Sequence, residues 1–371
     1  MVLSKRFDND IHRGVPSRSG REGTVHMATI GDVAKEAGVS ISTVSYALSG
    51  KRAITEETRV KVLDAARRLG YAPQAAARAL AARRSDLLAV TTPLHADTDH
   101  SAHMAFAMAV TRAARARDYD TVLLVHDDAI EGMRRSAATS LADGIVVLDV
   151  AADDARAELA RTLDCPVVFI GLPSDTAGLT CVDLDFDAAT CHAVDALADA
   201  GHRSVGLISQ RRETIARQAN YPLRIEQAFA RRAQERGLAY AVVHPEEANA
   251  ARPVAELLAA LPDLTGVVLS SLAGVASTLV SALGARGLVV PHDVSVVATG
   301  MTPDWSSDPL PFDSLPLDPA LTCPVAVDLL VGIIDGSVAA GGVVLVPPVY
   351  QPHGSVAPPR VRSSAPTPTT Q

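Results

Sequence analysis

The sequence predicts an α/β fold in which a small all-α domain precedes a body of two doubly wound subdomains, each built on a parallel sheet. Two observations support this prediction. Helix-start and helix-stop residues follow one another closely near the amino terminus, and short apolar runs alternate with helical patterns from Leu87 onward. A chain of 371 residues is also long enough for two or three domains with a large core.

Charge divides the chain into a head and a body. The formal net charge is -8, yet residues 1–84 carry 15 basic and 8 acidic residues, whereas the remainder carries 19 basic and 34 acidic residues. A basic head on an acidic body predicts that only the head meets a polyanion.

Several classes of protein are disfavoured by the sequence. The four cysteines form no C-x-x-C pair, which favours free thiols in a reducing cytoplasm and predicts no metal site. No apolar run reaches the roughly 18 residues of a membrane span, and the first residues lack the apolar stretch of a signal peptide. We find no nucleophile elbow, P-loop or dinucleotide fingerprint, so we expect neither an enzyme nor a cofactor.

The head, residues 27–72, is predicted to contain three helices. Thr29, with Asp32 three residues later, is typical of a capping box, and the first helix should end at Gly38. Ser40 should cap the second helix, and Thr55 should begin the third. Two helices joined by a tight turn make a helix-turn-helix.

The second helix lies in "VSISTVSYALSG", residues 39–50, which carries no charge. Its small Ser and Thr side chains would let the backbone approach a DNA duplex, where hydroxyls contact phosphates or base edges. Ile41 could touch a thymine methyl, while Val44 and Leu48 should face inward. The alternative interpretation is a small helical bundle that binds no ligand.

The segments that flank the head and body are predicted from composition. Pro73 opens "PQAAARALAARR", residues 73–84, which has helix-forming alanines but too little apolar bulk to fold alone, so we expect a linker that becomes helical when held. Its Arg78, Arg83 and Arg84 would contact phosphates or simply form a solvated basic face. Polar residues 1–26 and the tail, residues 352–371, are predicted to be disordered.

The body, residues 85–351, contains a series of apolar runs separated by helical patterns. Several runs are unbroken, as in parallel strands that are covered on both faces. The predicted strands are LLAVTTPL, TVLLVH, GIVVLDV, PVVFIGL, SVGLIS, TGVVLSS and VSVVATG.

Longer segments carry a family resemblance. "TIGDVAKEAGVSISTVSYALSGKRAITEETRVKVLDAARRLGYAPQAAARAL", residues 29–80, closely resembles the head of the LacI family of transcription repressors. "CVDLDFDAATCHAVDALADAGHRSVGLI" and "SALGARGLVVPHDVSVVATG" resemble that family's effector-binding and dimerisation core, which has a periplasmic-binding-protein-like fold. The resemblance implies a homodimeric repressor that binds a palindromic double-stranded operator under the control of a small-molecule effector of unknown identity.

The resemblance also implies which residues contact DNA. Ile41, Ser42 and Tyr46 match positions that contact bases in the major groove, and Leu80 matches a leucine of the hinge helix that inserts between base pairs in the minor groove. Family members often carry Arg or His at the position of Tyr46 and usually Asn near Gln74, so the operator should differ from the commonest family sequence. The predicted DNA contacts are Thr29, Ser40, Ile41, Ser42, Thr43, Ser45, Tyr46, Ser49, Tyr71, Gln74, Ala77, Arg78 and Leu80.

An effector pocket in this architecture lies between the subdomains, near the carboxyl ends of strands. The loop "HADTDHSAH", residues 95–103, follows the first predicted strand and should border that cleft. His95, Asp97, His100 and His103 could also group around a metal, but their spacing matches no established site, so we predict no metal. The predicted effector contacts are His95, Asp97, His100, Asp149, Arg217, Arg224 and Trp305.

Sugar-binding members of the family hold their ligand with three polar anchors, and this chain lacks all three. The anchor positions fall on Ile225, on Leu272 with Ala273, and on Gly300. We therefore expect neutral sugars to bind poorly, because their hydroxyls would lose directed hydrogen bonds. Nearby residues that could substitute, or could simply pack, are Arg217, Arg224, Asp304 and Trp305.

Three other functions remain open as alternatives. The chain could be a regulator that has lost its effector, a structural DNA protein, or a solute-binding protein with the same body. The DNA-binding head and the lack of an export signal argue against the solute-binding protein.

Overall fold

The structure is a computed structural model, and it describes residues 28–49, 54–71, 84–92, 95, 99–125, 129–301 and 312–360. The chain divides into two compact units, Met1–Ala82 and Arg83–Gln371. The predicted N-terminal extension, nearly all of the predicted linker and the last eleven residues of the tail lie outside the described residues.

The head contains the three predicted helices, α1 (Ile30–Ala37), α2 (Ile41–Ser49) and α3 (Glu56–Arg68). The capping box of α1 is confirmed, because the Thr29 hydroxyl accepts from the Asp32 amide at 3.3 Å and the Asp32 carboxylate accepts from the Thr29 amide at 2.8 Å.

The other predicted helix boundaries of the head are also confirmed. Gly38 ends α1 in the left-handed conformation, with φ 68°. Ser40 and Thr55 each accept a hydrogen bond from the backbone amide three residues on, at 3.2 and 3.4 Å, and so cap α2 and α3.

A small apolar core joins the three helices. Val44 of α2 is fully buried in it and Leu48 packs against it, as predicted. The buried members of this core are Val33, Ala34, Val44, Ala47, Val62, Ala65 and Ala66.

The body alternates strands with helices. Its elements are, in chain order, β1 (Leu87–Thr91), α4 (His100–Arg115), β2 (Asp120–Leu124), α5 (Ala129–Ala138), β3 (Gly144–Val147), α6 (Ala155–Ala160), β4 (Val167–Ile170), β5 (Thr180–Leu184), α7 (Phe186–Asp199), β6 (Ser204–Ile208), α8 (Arg212–Ala216), α9 (Asn220–Glu235), β7 (Ala239–Val243), α10 (Ala251–Ala260), β8 (Gly266–Leu269), α11 (Ala273–Gly284), β9 (Ser295–Thr299), β10 (Asp313–Leu315), α12 (Pro319–Ile334) and β11 (Gly342–Val346).

These strands form two separate parallel sheets, which confirms the predicted fold class. The first sheet has the order β11-β5-β4-β3-β1-β2, and the second has the order β10-β9-β8-β6-β7. Every strand pairing within them is parallel. The residues of β3, β5, β6, β8 and β9 are all buried, because helices cover both faces of each sheet.

The prediction of a disordered tail is wrong for residues 352–360. Ser355 is buried, and its hydroxyl accepts from the Asp313 amide at 2.7 Å. The Ala357 amide donates to the Ser295 hydroxyl at 3.0 Å. Composition does not show this contact, because the segment is held by backbone and hydroxyl hydrogen bonds along β9 and β10.

Arg84, predicted to contact phosphates or solvent, is instead held by the body. Its guanidinium donates to the Tyr119 hydroxyl at 3.0 Å and also pairs with Asp335.

All four cysteines are free thiols, and burial raises the pKa of the Cys181 and Cys323 thiols to about 12. No described helix combines the length and the apolar character that a bilayer span requires.

Candidate functional site

The exposed side of α2 in the head carries both hydroxyl and apolar side chains. Ser40, Ile41 and Ser42 are exposed, and Ile41 keeps 55% of its surface open to solvent although it is a large apolar residue. The Ser40 hydroxyl lies 2.8 Å from the hydroxyls of both Ser42 and Thr43. The start of α2 therefore carries a cluster of hydroxyls beside an uncovered apolar side chain, as a groove-contacting helix needs.

The remaining predicted DNA contacts differ in how exposed their side chains are. Thr29 is exposed, Ser45 and Tyr46 are half-buried, and Tyr71 packs partly against the core of the head. The side chains of five predicted contacts lie outside the described residues: Ser49, Gln74, Ala77, Arg78 and Leu80. The DNA-binding roles of all these residues stay predictions.

The body contains a cavity of about 150 Å³ at the carboxyl ends of its strands, where the two sheets face each other. The side of the first sheet contributes Asp99, Ala102, His103, Phe106, Leu148, Asp149, Val150, Ile170, Gly171, Leu172 and Asp183. The side of the second sheet contributes Phe186, Gln210, Thr214, Arg217, Tyr221, Ser271, Leu272, Ala273, Gly300, Met301 and Leu317.

Asp149, a predicted effector contact, follows β3 and lines this cavity. Its backbone is left-handed, with φ 53°, which is unusual for a residue other than glycine. The side chain is 4% exposed, and its Oδ1 accepts from Arg217 Nη1 at 3.2 Å. Its Oδ2 has no hydrogen-bond partner among the described residues and lies 3.8 Å from His95 Nε2 and 3.9 Å from His103 Nε2.

A buried arginine fixes the backbone of Asp149. Arg156 donates to the Asp149 carbonyl at 2.7 Å and to the Leu148 carbonyl at 3.0 Å. Its guanidinium also holds both carboxylate oxygens of Asp154, at 2.9 and 2.7 Å. Burial raises the pKa of Asp154, but the hydrogen bond and charge of Arg156 outweigh burial and lower that pKa below its usual value.

A second ion pair joins Asp183 in the cavity wall to Arg224, which lies outside the lining. Arg224 Nη1 of α9 donates to Asp183 Oδ2 of β5 at 2.6 Å, and both side chains are largely buried. Burial raises the pKa of Asp183 to about 6, against the lowering effect of Arg224. The Arg224 guanidinium carbon also lies 5.4 Å from the centre of the Phe186 ring.

The loop and helix after β1 line the cavity, but with different residues from those predicted. Asp99, Ala102, His103 and Phe106 line the cavity because they share one face of α4 and its cap. His100 lies off that face, is exposed and does not line the cavity. Burial lowers the pKa of His103, whose Nδ1 lies 3.1 Å from the Thr92 hydroxyl.

Other predicted effector residues have different positions. His95 approaches Asp149 but does not line the cavity, and Arg217 does line it. Asp97, Asp304 and Trp305 lie outside the described residues. The described residues contain no group of three or more His, Cys, Asp or Glu side chains arranged to hold a metal ion.

The position of one missing sugar anchor is closed by packing. Gly300 has φ 62°, and a Cβ atom added there would lie 2.9 Å from the Phe186 ring and 3.1 Å from the Ile225 side chain. Ile225, at another anchor position, is fully buried in the core. A carboxylate at residue 300 would therefore need both neighbours to move.

The predicted effector contacts omitted several lining residues, notably Asp183, Phe186, Tyr221 and Ser271. They also omitted His103, although it lies in the loop that was predicted to border the cleft. A signal existed for Asp183, since a charged residue near the carboxyl end of an apolar strand is typical of a site. No comparable signal marked Ser271 or the aromatic residues, because their types are ordinary in a core.

Comparisons with protein families match two parts of this chain. Residues 29–74 match the family described as "Bacterial regulatory proteins, lacI family", and residues 194–356 match the "Periplasmic binding protein-like domain". The first match covers the helix-turn-helix, and the second covers all five strands of the second sheet.

Curated relatives are transcription regulators. The chain is 30% identical to catabolite control protein A of Priestia megaterium, over 49% of this chain and 54% of that protein. It is 29% identical to the HTH-type transcriptional regulator AglR of Rhizobium meliloti (strain 1021), over 70% of this chain and 74% of that protein. The chain thus spans only about half the length of several of the curated relatives that it matches.

Solved structures share the fold. A lac repressor dimer bound to operator and the anti-inducer ONPF has a TM-score of 0.73 and 21% identity, covering 89% of this chain and 99% of that one. A complex of the transcriptional regulator CelR with cellobiose has a TM-score of 0.61 and 22% identity, covering 88% and 99%. At such identities the likeness establishes the fold alone.

Proposed function

This chain belongs to the LacI family of bacterial regulatory proteins, and we propose that it is a transcriptional repressor that binds a palindromic operator as a homodimer. A small molecule in the body's cavity would control its affinity for DNA. We place this activity in the cytoplasm, where a regulator meets its DNA, and we assign the chain no enzymatic reaction.

The exposed face of α2 is the observation that carries this proposal. The capped hydroxyl cluster at Ser40, Ser42 and Thr43 lies beside Ile41, while the opposite face of the helix packs into the core through Val44. A helix with a buried anchoring face and an uncovered face of small polar and apolar side chains can enter a major groove.

A homodimer is supported by an apolar surface on the body. Met104 and Met108 of α4 are exposed, as are Leu123 and Val125 at the end of the edge strand β2. Exposed apolar side chains grouped on a helix and its neighbouring edge strand are typical of subunit contacts. Two-fold symmetry of the protein would require two-fold symmetry of the operator.

The cavity favours a regulator that keeps its effector over one that has lost it. Its wall contains Asp149 Oδ2 and Ser271 Oγ, which are buried without a hydrogen-bond partner among the described residues. Buried polar atoms without partners are destabilising unless a ligand or water pairs with them.

The test begins with selection of genomic fragments by the purified protein, followed by footprinting and fluorescence anisotropy. We expect protection of an imperfect palindrome and an affinity that falls steeply with salt. Protection of a single half-site would contradict the dimer, and equal affinity for scrambled DNA would contradict the whole proposal.

A pair of matched variants locates the DNA-contacting face. Ile41→Ala should change base preference at one or two operator positions by about 1–3 kcal/mol, because it removes an apolar contact to a base edge. Val60→Ala on α3 truncates another exposed apolar side chain, 47% exposed, and should leave base preference unchanged. Identical preferences for both variants and the parent protein would remove α2 from the groove.

A further inference from the structure

The cavity contains two polar atoms that the protein itself does not pair. Asp149 Oδ2 lies on the side of the first sheet, and Ser271 Oγ lies on the side of the second; the Asp149 side chain and the Ser271 residue are each 4% exposed. Neither atom has a hydrogen-bond partner among the described residues, although both residues line the cavity. Such atoms indicate the places where a ligand offers polar groups.

Asp149 Oδ2 specifically calls for a hydrogen-bond donor. An ionised carboxylate only accepts hydrogen bonds, and Arg217 already occupies the other oxygen. The two neighbouring imidazole nitrogens, of His95 and His103, lie 3.8 and 3.9 Å away, which is too far for a hydrogen bond. A donor from a ligand would complete the coordination of this oxygen.

Most of the remaining wall is apolar and rich in rings. Phe106, Phe186, Tyr221, Ile170, Met301 and Leu317 line it. The Phe186 and Tyr221 rings pack at 5.6 Å between centroids with a tilt of 33°. A volume of about 150 Å³ matches cavities that hold a single benzene ring.

The same wall is poorly suited to a neutral monosaccharide. The closed space at Gly300 excludes a polar anchor, and Leu272 and Ala273 offer no side-chain hydrogen bonds. Two of the polar side chains in the wall are already engaged, since Asp183 pairs with Arg224 and Asp99 caps α4 through the Ser101 and Ala102 amides. Most hydroxyls of a bound sugar would therefore meet apolar atoms.

We propose that the cavity binds a compact ring compound with apolar faces and one or two hydrogen-bond-donating substituents, either amine or hydroxyl. One substituent donates to Asp149 Oδ2, and a second, where present, pairs with Ser271 Oγ. The ring packs against Phe106, Phe186 and Tyr221. This inference rests on the proposed function in that it names the class of effector for the same site.

Calorimetry on the full-length protein tests the class of ligand. The probes are benzylamine and phenol, toluene as the ring without a donor, and glucose and ribose as neutral sugars. We expect the two ring donors to bind about tenfold or more tightly than toluene and than either sugar, since one well-placed hydrogen bond to a charged group is sufficient for that factor. Benzylamine binding tighter than phenol would identify an amine, and the reverse order would identify a hydroxyl.

Two results would overturn the proposal. One is a sugar that binds more tightly than both ring donors, and the other is toluene binding as tightly as they do. Operator binding by the same preparation separates this inference from the proposed function. Specific DNA binding together with either contrary result would mean that the protein is a repressor with a different class of effector. Binding of benzylamine or phenol without specific DNA binding would contradict only the proposed repressor function.

Matched variants test the two polar contacts. Asp149→Asn replaces the unpaired oxygen by an amide donor and should weaken benzylamine and phenol binding about tenfold, while toluene binding stays unchanged. Ser271→Ala should weaken only ligands that carry two substituents, such as catechol, by about threefold. Asp153→Asn and Ser281→Ala, at exposed positions, serve as controls and should bind like the parent protein.

Thermal melting of each variant checks folding. Equal ring affinity in Asp149→Asn and Asp153→Asn would overturn the role of Asp149. If Asp149→Asn does not fold, the comparison of benzylamine and phenol with toluene on the parent protein still decides whether the site requires a donor.

Discussion

The two sides of the cavity carry opposite charges. The side of the first sheet supplies the carboxylates Asp149 and Asp183, and the side of the second sheet supplies their partners, Arg217 and Arg224. Each side alone would present an uncompensated charge. The two halves of the body are therefore held against each other by ion pairs that exist only when they meet.

The two pairs differ in what surrounds them. Arg217 and Asp149 both line the cavity, and Asp149 keeps one oxygen unpaired. Arg224 does not line the cavity, and its pairing with Asp183 is shorter, at 2.6 Å against 3.2 Å. This difference indicates that the first pair can respond to a ligand, whereas the second mainly holds the halves together.

Backbone hydrogen bonds reinforce the same junction. The Ala152 amide donates to the Gln218 carbonyl at 2.8 Å, and the Asn220 amide donates to the Val150 carbonyl at 3.1 Å. Both bonds link the segment after β3 with the connection from α8 into the first residue of α9. A ligand that shifts Asp149 would thus act on a segment that joins the two halves of the body. Ligand binding in the cavity could then be coupled to a change of conformation.

The largest expected effect comes from breaking the ion pair between Arg224 and Asp183. Arg224→Met would leave the Asp183 carboxylate buried without its partner and should lower the free energy of unfolding by about 3–5 kcal/mol. Arg231→Met on the same helix removes an exposed pairing with Asp187 and should cost less than about 1 kcal/mol. Urea denaturation measures both.

A double variant sharpens that experiment. Arg224→Met combined with Asp183→Leu removes both charges and should recover most of the lost stability, because no uncompensated charge remains. Equal losses for Arg224→Met and Arg231→Met would mean that the buried pair does not hold the halves together.

The second expected effect is a pH dependence of the same pair. Burial raises the pKa of Asp183 to about 6, whereas an aspartate in the unfolded chain titrates near about 4. Between these values the native state binds more protons than the unfolded state, so this group's contribution to the free energy of unfolding falls as the pH rises from about 4 to about 6. Above that window the contribution stays constant, and the total fall is at most about 3 kcal/mol.

Comparison of the parent protein with Asp183→Asn isolates this contribution. The difference in free energy of unfolding, parent minus variant, should decrease from pH 4 to pH 6 and then level off. Asp187→Asn, at an exposed position, should give a flat difference. A difference that rises with pH would show that Arg224 outweighs burial.

The sequence predicted those helices and strands that are specified by residues close together in the chain. The starts of the three head helices and the end of the first were predictable because Thr29, Gly38, Ser40 and Thr55 act through neighbours a few positions away. The apolar runs likewise predicted β1, β2, β3, β4, β6, β8 and β9, whereas β5, β7, β10 and β11 were not predicted. No such run marked β5, because the charge of Asp183 interrupts its apolar pattern.

The cavity was only partly predictable, for a related physical reason. Asp149 and Arg217 could be singled out from sequence position, but their pairing spans 68 residues and depends on how two sheets meet. Phe186 and Ser271 have ordinary residue types, and their role follows only from the space left at Gly300 and from an unmade hydrogen bond. Local signals determine the elements, whereas the site depends on tertiary packing.

The smallest expected effect concerns the Asp149–Arg217 pair and Arg156, which binds the backbone of Asp149. Arg156 holds the carbonyl of Asp149 at 2.7 Å and thereby its left-handed backbone, without lining the cavity itself. It is a positioning residue. Arg156→Lys keeps the charge beside Asp154 but loses the planar fork that reaches both carbonyls, so Asp149 should shift. Benzylamine affinity should then fall by about 1–2 kcal/mol.

The ratio of benzylamine to toluene affinity distinguishes positioning from general destabilisation. A misplaced Asp149 lowers that ratio because only benzylamine donates to it, whereas a loosened fold weakens both ligands together. Arg161→Lys provides the control, since Arg161 makes a comparable set of bonds to the Ala177 carbonyl and to Asp175 on a loop that does not line the cavity. An unchanged ratio in Arg156→Lys would mean that Asp149 keeps its position without Arg156, and the left-handed turn would then have to be maintained by Arg217 and the packing around β3.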